Sequence, residues 1–281
     1  MRTPVISLVV LCLFAHVARA QDRPAQIEAA ADSRVNVYNP SGSITVSGWD
    51  RNEVAVYASR GSLRNLELKR EGNRITVRAH AGFTMDVRVP KDAKLNVEAG
   101  SGSIDVSGVE GTVEVESGSG SLRIEGTPRS ITALGLSGGV TIMGGGTEIT
   151  RAESVSGTVI VTDGRGVVDA KSSSGGVHVT GRVRDARLFS VSGSVRFDGT
   201  VESGGRLSAE SSSASVELKL PANTSAEYEL STVSGNIENA FGPVATRARN
   251  GAGLSLSFSV GGGAARVKAA SVSGSVRLNE R

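Results

Sequence analysis

The sequence predicts an all-β chain, wound as a single-stranded β-solenoid (a β-helix) of coils about 18–21 residues long. Three observations carry this. A serine–glycine phrase returns at near-constant spacing, the residues after it alternate apolar and polar, and no long stretch shows the 3.6-residue periodicity of a helix.

The phrase reads "SGSIDVSG" at 101–108, then "SGSLRIEG", "SGGVTIMG", "SGTVIVTD", "SGGVHVTG", "SGSVRFDG" and finally "SGSVRLNE". Cut at its first serine, the copies start at Ser101, Ser119, Ser137, Ser156, Ser174, Ser192, Ser213, Ser234 and Ser273. The spacings are 18, 18, 19, 18, 18, 21, 21 and 39. The last gap is read as two coils, with one phrase eroded near "NGAGLSLSFS".

The fourth position of the phrase is Ile104, Leu122, Val140, Val159, Val177, Val195, Val216, Ile237 and Val276. The sixth is Val106, Ile124, Ile142, Val161, Val179, Phe197, Leu218, Asn239 and Leu278. Mostly polar residues separate them, so each copy is a strand with one buried face. A weaker strand follows about nine residues on, as in Val113 and Val115, Ile131 and Ala133, or Leu207 and Ala209. One coil cannot bury its own apolar pairs. Coils stacked about 4.8 Å apart can, which is why the phrase recurs.

The second position forms a column of turn glycines: Gly102, Gly120, Gly138, Gly157, Gly175, Gly193, Gly235 and Gly274, with Ala214 as the exception. A corner between sides calls for positive φ, which glycine adopts cheaply. The neighbouring serine hydroxyls can bond the turn backbone and stack into ladders.

Three segments follow. Residues 1–20, "MRTPVISLVVLCLFAHVARA", read as a secretory signal peptide with a basic start, a short apolar run and an A-x-A end. Residues 21–100 are a less regular N-terminal β segment holding the first coils and a cap, and 101–281 are the solenoid repeats. "DVRVPKDAKLNVEAGSGSI" (86–104) parallels "VELKLPANTSAEYELSTVSGNI" (216–237), each running strand, proline, strand, phrase.

Composition narrows the function. Cleavage after Ala20 removes Cys12, leaving no disulfide. It also removes Arg2 and Arg19, so 29 of the 31 basic residues face 28 acidic ones. That balance, with no basic cluster, argues against a nucleic-acid partner. No later segment is apolar for long enough to form a transmembrane helix. An exported protein in the periplasm, on the cell surface or outside the cell is expected. Aromatics make up only 4% and glycines number 36, which implies a thin core of small and β-branched residues.

No catalytic, cofactor or metal residue emerges. "GLSGG" (135–139) matches the hydrolase elbow G-x-S-x-G, but that motif needs a strand–turn–helix setting and Ser137 merely starts a repeat. His80 and His178 are the histidines beyond the leader, and His178 stands on the outward side of its strand with no orienting carboxylate nearby in sequence. The calcium-binding β-roll repeat would place an aspartate in each turn, whereas Asp105, Asp163 and Asp198 fall in different columns. The outward fifth-position column mixes charges, as Arg196 and Glu217 do, and reads as cross-coil pairing. One patch departs from this. Thr141 and Met143, Ile160 and Thr162, and His178 and Thr180 form an uncharged strip across three coils. Charged coils flank it, bearing Arg123 and Glu125 on one side and Arg196 and Asp198 on the other. Such a strip is a candidate contact surface.

The leader, the early "SGSITVSGWD" element, the strand–Pro–strand units and the serial phrases together resemble a bacterial family of exported β-solenoid domains of unknown function labelled "putative adhesins". The resemblance covers nearly the whole chain after the leader. It implies a non-enzymatic cell-envelope or secreted protein that meets an unidentified surface ligand, glycan or protein, through a solenoid face. It brings no catalytic motif. Two other readings share the scaffold: a carbohydrate-active β-helix enzyme, which needs a carboxylate cluster in space, and a structural or envelope-stress component without a ligand.

Overall fold

The computed structural model describes residues 24–60, 63–80, 82–247 and 253–281. The signal-peptide reading of residues 1–20 falls outside these. The described residues are almost entirely strand, with a single 3-10 turn at Leu63–Asn65. All the strands join one large sheet, folded into two parallel ladders whose apolar sides face each other.

The strand that opens each phrase stacks in the predicted register. Val140 pairs with Val159, Val159 with Val177 and Val177 with Val195, and all four are fully buried. We call this the phrase ladder. The weaker strands form a companion ladder, in which Val113 pairs with Ile131, Val168 with Ala186 and Ala186 with Leu207. Both inward columns are mostly Val, Ile, Leu and Ala, which accounts for a thin core whose largest buried side chains are Tyr228, Phe83 and Phe197. Parallel neighbours with an apolar face on one side suit β-branched residues, which pack well on a pleated surface.

The stacking order departs from chain order at both ends. The coil holding Arg34–Ser41 and Ile44–Trp49 lies between the coil of Arg74–Pro90 and that of Lys94–Ser107. The final coil, Ala265–Ser271 and Val276–Glu280, lies between the Ser213 coil and the Ser234 coil. The first parallel coil and the last are thus each one coil inside the stack, while the first described strand, Ala25–Glu28, pairs antiparallel with Glu53–Arg60. The outermost coils are then covered by antiparallel strands: Glu53–Arg60 on Thr84–Pro90, Leu66–Glu71 on Arg74–Ala79, and Leu254–Val260 on Ala226–Thr232. Covering an exposed strand edge in this way removes a template for aggregation.

This order corrects one sequence reading. The 39-residue gap does not hold an eroded parallel coil. Leu254–Val260 runs antiparallel to Ala226–Thr232 as an end cap, and the alternation in "LSLSFS" fits either direction.

The reason given for the glycine column is also corrected. Of its eight glycines only Gly102 and Gly120 have positive φ, at 124° and 127°. What excludes a side chain is the coil next door. A Cβ at Gly138, Gly157, Gly175 or Gly193 would drive into the carbonyl oxygen of the preceding column glycine. The same contact traces the end order, because Gly235 abuts Gly274 and Gly274 abuts Ala214.

A buried hydroxyl ladder locks these turns together. Ser154, Ser172, Ser190, Ser211, Ser271 and Thr232 each end a companion strand. Each accepts a bond from the amide three residues on and donates one to the column carbonyl of the adjacent coil. For Ser190 both bonds measure 2.9 Å, to Gly193 N and from its hydroxyl to Gly175 O. For Thr232 they are 3.0 Å and 2.8 Å. Each hydroxyl of this ladder is thereby satisfied both as donor and as acceptor.

Candidate functional site: an uncharged strip on the phrase ladder

The strip predicted from sequence assembles, with one dislocation. Thr141 lies in register with Ile160, Ile160 with His178, and Met143 with Thr162. All six strip residues are half-buried on the outward face. Thr162 and Thr180 do not pair, because the register shifts between Val161 and Gly164. Asp163 occupies the shift at φ 56°, as the sole non-glycine residue with positive φ among those described. A short polar side chain tolerates this conformation better than a bulky one. The Asp163 amide donates to Thr180 Oγ1 at 3.3 Å, so the bulge ties the two coils together through the strip itself.

Charge bounds the strip on both sides, as the sequence indicated. Arg123 meets Glu125 at 3.9 Å and also reaches the Met143 sulfur at 3.6 Å. On the far side Arg196 pairs with Glu217 of the next coil at 3.4 Å, and Asp198 pairs with Arg281 at 3.2 Å. Farther along the same column Arg277 pairs with Glu238 at 3.1 Å. Of these pairs, Arg196–Glu217 is the cross-coil one that the mixed-charge column predicted, while Arg123 meets Glu125 on its own strand rather than Asp105, its neighbour in the column. The pairs are exposed and worth little individually, but they leave the strip as a gap in a charged face.

The strip carries no carboxylate, guanidinium or ammonium group. It offers threonine hydroxyls, a thioether, one isoleucine and an imidazole. Among the described residues, no group of three or more His, Cys, Asp or Glu side chains is placed to hold a metal ion. Ser137 sits in an exposed turn between two strands, Ser130–Gly135 and Val140–Met143, which is not the strand–turn–helix an elbow nucleophile needs.

Sequence reasoning missed a second surface feature. Leu136, Val155, Val191, Val272 and Val233 each follow the terminal residue of a companion strand, and each is 42–56% exposed. Backbone bonds join these corners from coil to coil, as from Val155 N to Gly135 O. The signal lay in the residue just before each phrase, apolar in five of the copies. The companion ladder also carries a row of ion pairs. Lys171 bonds Asp169 at 3.0 Å, and that bond holds its ammonium above the usual lysine range. Lys268 bonds Glu210 at 3.0 Å and holds that carboxyl below the usual range.

No helix among the described residues is long and apolar enough to cross a membrane. No curated protein matches the chain. Solved structures similar to it include a putative adhesin from Bacteroides fragilis NCTC 9343, at 10% identity, with 92% of this chain and 97% of that one covered and a TM-score of 0.42. A putative lipid binding protein from Parabacteroides distasonis ATCC 8503 aligns at 15% identity, over 91% of this chain and 95% of that one, with a TM-score of 0.37. A putative adhesin from Parabacteroides merdae ATCC 43184 aligns at 8% identity over 91% and 95%, with a TM-score of 0.27. The Toastrack DUF4097 family model matches residues 26–279, nearly the whole described chain, and the protein belongs to that family.

Proposed function

We propose that the protein is an exported, non-enzymatic component of the cell envelope or its surroundings, and that it acts by adhesion through one face of a β-solenoid of coils about 18–21 residues long. The observation that carries this reading is the uncharged strip across three coils, set between coils whose outward residues are charged and paired. A partner meeting Thr141, Met143, Ile160, Thr162, His178 and Thr180 desolvates hydroxyls, apolar groups and one imidazole rather than formal charges. That costs far less than stripping water from an ion pair. The regular ladders behind the strip hold it flat and preorganised, which limits the ordering cost of association. Cleavage of residues 1–20 and separate roles for 21–100 and 101–281 belong to the same reading.

The test is surface attachment by an Ile160→Glu, Thr162→Arg double variant, scored on an array of glycans and surface proteins. Both side chains point outward, so the variant folds, and loss of attachment is the expected result. A folded variant that attaches as well as the parent eliminates the strip. Turnover of a polysaccharide by the parent protein eliminates the non-enzymatic reading.

A further inference from the structure

On the outer face of the companion ladder a groove of about 710 Å³ crosses six rungs, from Ile149–Ser154 to Ala226–Thr232. Its floor is the backbone of inward residues such as Ala186 and Leu207, and its walls are two columns of outward side chains. The groove therefore runs along the stacking axis, over five rung steps or roughly 24 Å.

Its middle is cationic. Arg187, Arg206, Arg266 and Lys268 lie on three consecutive rungs. Arg266 leans to Glu227 at 3.6 Å and Lys268 to Glu210 at 3.0 Å. Arg187 and Arg206 have no ion pair and no side-chain hydrogen bond with any described residue. Each faces a carboxylate in register across one rung, Arg187 opposite Asp169 and Arg206 opposite Asp185, but those acids bond other cations: Asp169 bonds Lys171 at 3.0 Å, and Asp185 bonds Arg184 at 3.3 Å. On its other side Arg206 stands directly opposite Arg266, a like-charge neighbour that offsets the attraction of Asp185. Arg187 is opposite Ser208, two residues beyond Arg206, so the two arginines are diagonal neighbours with Cα atoms about 7–8 Å apart.

We propose that this groove binds a linear polysaccharide bearing carboxylates, with Arg187 and Arg206 each holding one carboxylate. A guanidinium fork matches a carboxylate through two parallel bonds. A straight groove several rungs long fits an extended chain better than a compact ligand. Asp169, Asp185, Glu227 and Glu229 line the same groove and repel a densely charged polyphosphate, while sparsely spaced carboxylates can settle between them. The inference rests on the reading of the protein as a binder, but it places this ligand on the opposite ladder from the strip.

The experiment measures binding of the purified protein to immobilised polygalacturonate, with dextran and duplex DNA as comparators. Polygalacturonate should bind and dextran should not, with DNA weaker than polygalacturonate. An Arg187→Gln, Arg206→Gln double variant should weaken binding by about tenfold or more, as expected for two charge-assisted contacts. An Arg196→Gln, Arg277→Gln variant removes the same charge from the phrase ladder and should bind within about twofold of the parent if net charge alone contributes little. Arg187, Arg206 and Arg196 are exposed and Arg277 is half-buried on the outward face, and melting curves confirm folding. Absence of polygalacturonate binding, equal binding of DNA, or equal weakening by both variants overturns the proposal. Polygalacturonate binding that survives in the Ile160→Glu, Thr162→Arg variant separates this site from the strip. Loss in that variant with the groove arginines intact overturns the groove.

Discussion

The hydroxyl of Ser172 donates to the carbonyl oxygen of Gly157, one coil away, at 2.9 Å, and this bond joins the turns of two coils. The Ser172 hydroxyl oxygen in turn accepts from Gly175 N at 2.9 Å. Ser172 is only 2% exposed, so water does not replace either partner when the hydroxyl is removed. Ser172→Ala strands a buried amide and leaves a carbonyl short of a partner. It should cost about 2–3 kcal/mol in urea denaturation. Ser173→Ala, on an exposed neighbour, should be within about 0.5 kcal/mol of the parent. Equal effects at the two positions would show that the ladder contributes nothing.

The glycine column separates two kinds of glycine cost. Gly204 has φ +78° with open space where its Cβ would go, so Gly204→Ala carries only backbone strain, about 1–2 kcal/mol. Gly175 is not in the left-handed region, but a Cβ there collides with backbone of the adjacent coil, which cannot rotate aside. Gly175→Ala should therefore cost more than Gly204→Ala, and Gly175→Val more again. If Gly204→Ala proves the worse of the two, conformation rather than crowding governs the column.

How much of this was legible in the sequence differs by feature. The register of Val140, Val159, Val177 and Val195 could be read because period-two alternation fixes which face each side chain takes, and near-equal coil lengths fix the neighbour. The threading of the end coils could not. Any coil with two inward apolar residues stacks equally well on any other, so pattern alone does not tell that Val276 sits on Val216. The position of the glycines was visible but its cause was not, because crowding comes from a residue 18 or so positions away. Ser154, Ser172 and Ser190 looked like ordinary strand ends. In the strip, Thr141, Ile160 and His178 were placed correctly, while the bulge at Asp163 that parts Thr162 from Thr180 leaves no mark in the alternation. Arg187 and Arg206 come together across a register shift between Val183 and Asp185, which counting along the chain does not reveal.

Three cations stack at the other end of the companion ladder. Arg34 is in register with Arg74 on one side and Lys94 on the other, and all three are exposed. Like charges directly opposite one another destabilise a sheet by roughly 0.2–1 kcal/mol. Arg34→Gln should therefore raise stability by a few tenths of a kcal/mol at low salt, by chemical denaturation. The gain should shrink as salt rises, since these charges are solvent-screened. A loss of stability at low salt would mean that Arg34 is held by attraction that outweighs its two neighbours.

The C-terminal cap has its own pH signature, set by Tyr228. Its ring stacks on Phe258 at 4.8 Å between centroids, with Phe241 at 5.6 Å, and its hydroxyl donates to Thr224 O at 3.3 Å. The side chain is 1% exposed, and burial pushes its phenol up to about 12. The unfolded chain releases that proton near the ordinary tyrosine value of about 10. The folded pKa is raised, so the contribution to stability is complete below about pH 10 and is lost as pH rises through about 12. Other groups titrate in this range too, so the informative quantity is the difference between the parent and Tyr228→Phe. That variant keeps the stacked ring and gives up one long hydrogen bond. Relative to its value at pH 9, its stability should rise against that of the parent at pH 10.5 and again at pH 11.5, as read by urea denaturation. Two curves that stay parallel across that range would show that Tyr228 ionises as easily in the folded protein as in the unfolded chain, and that the cap is open to water.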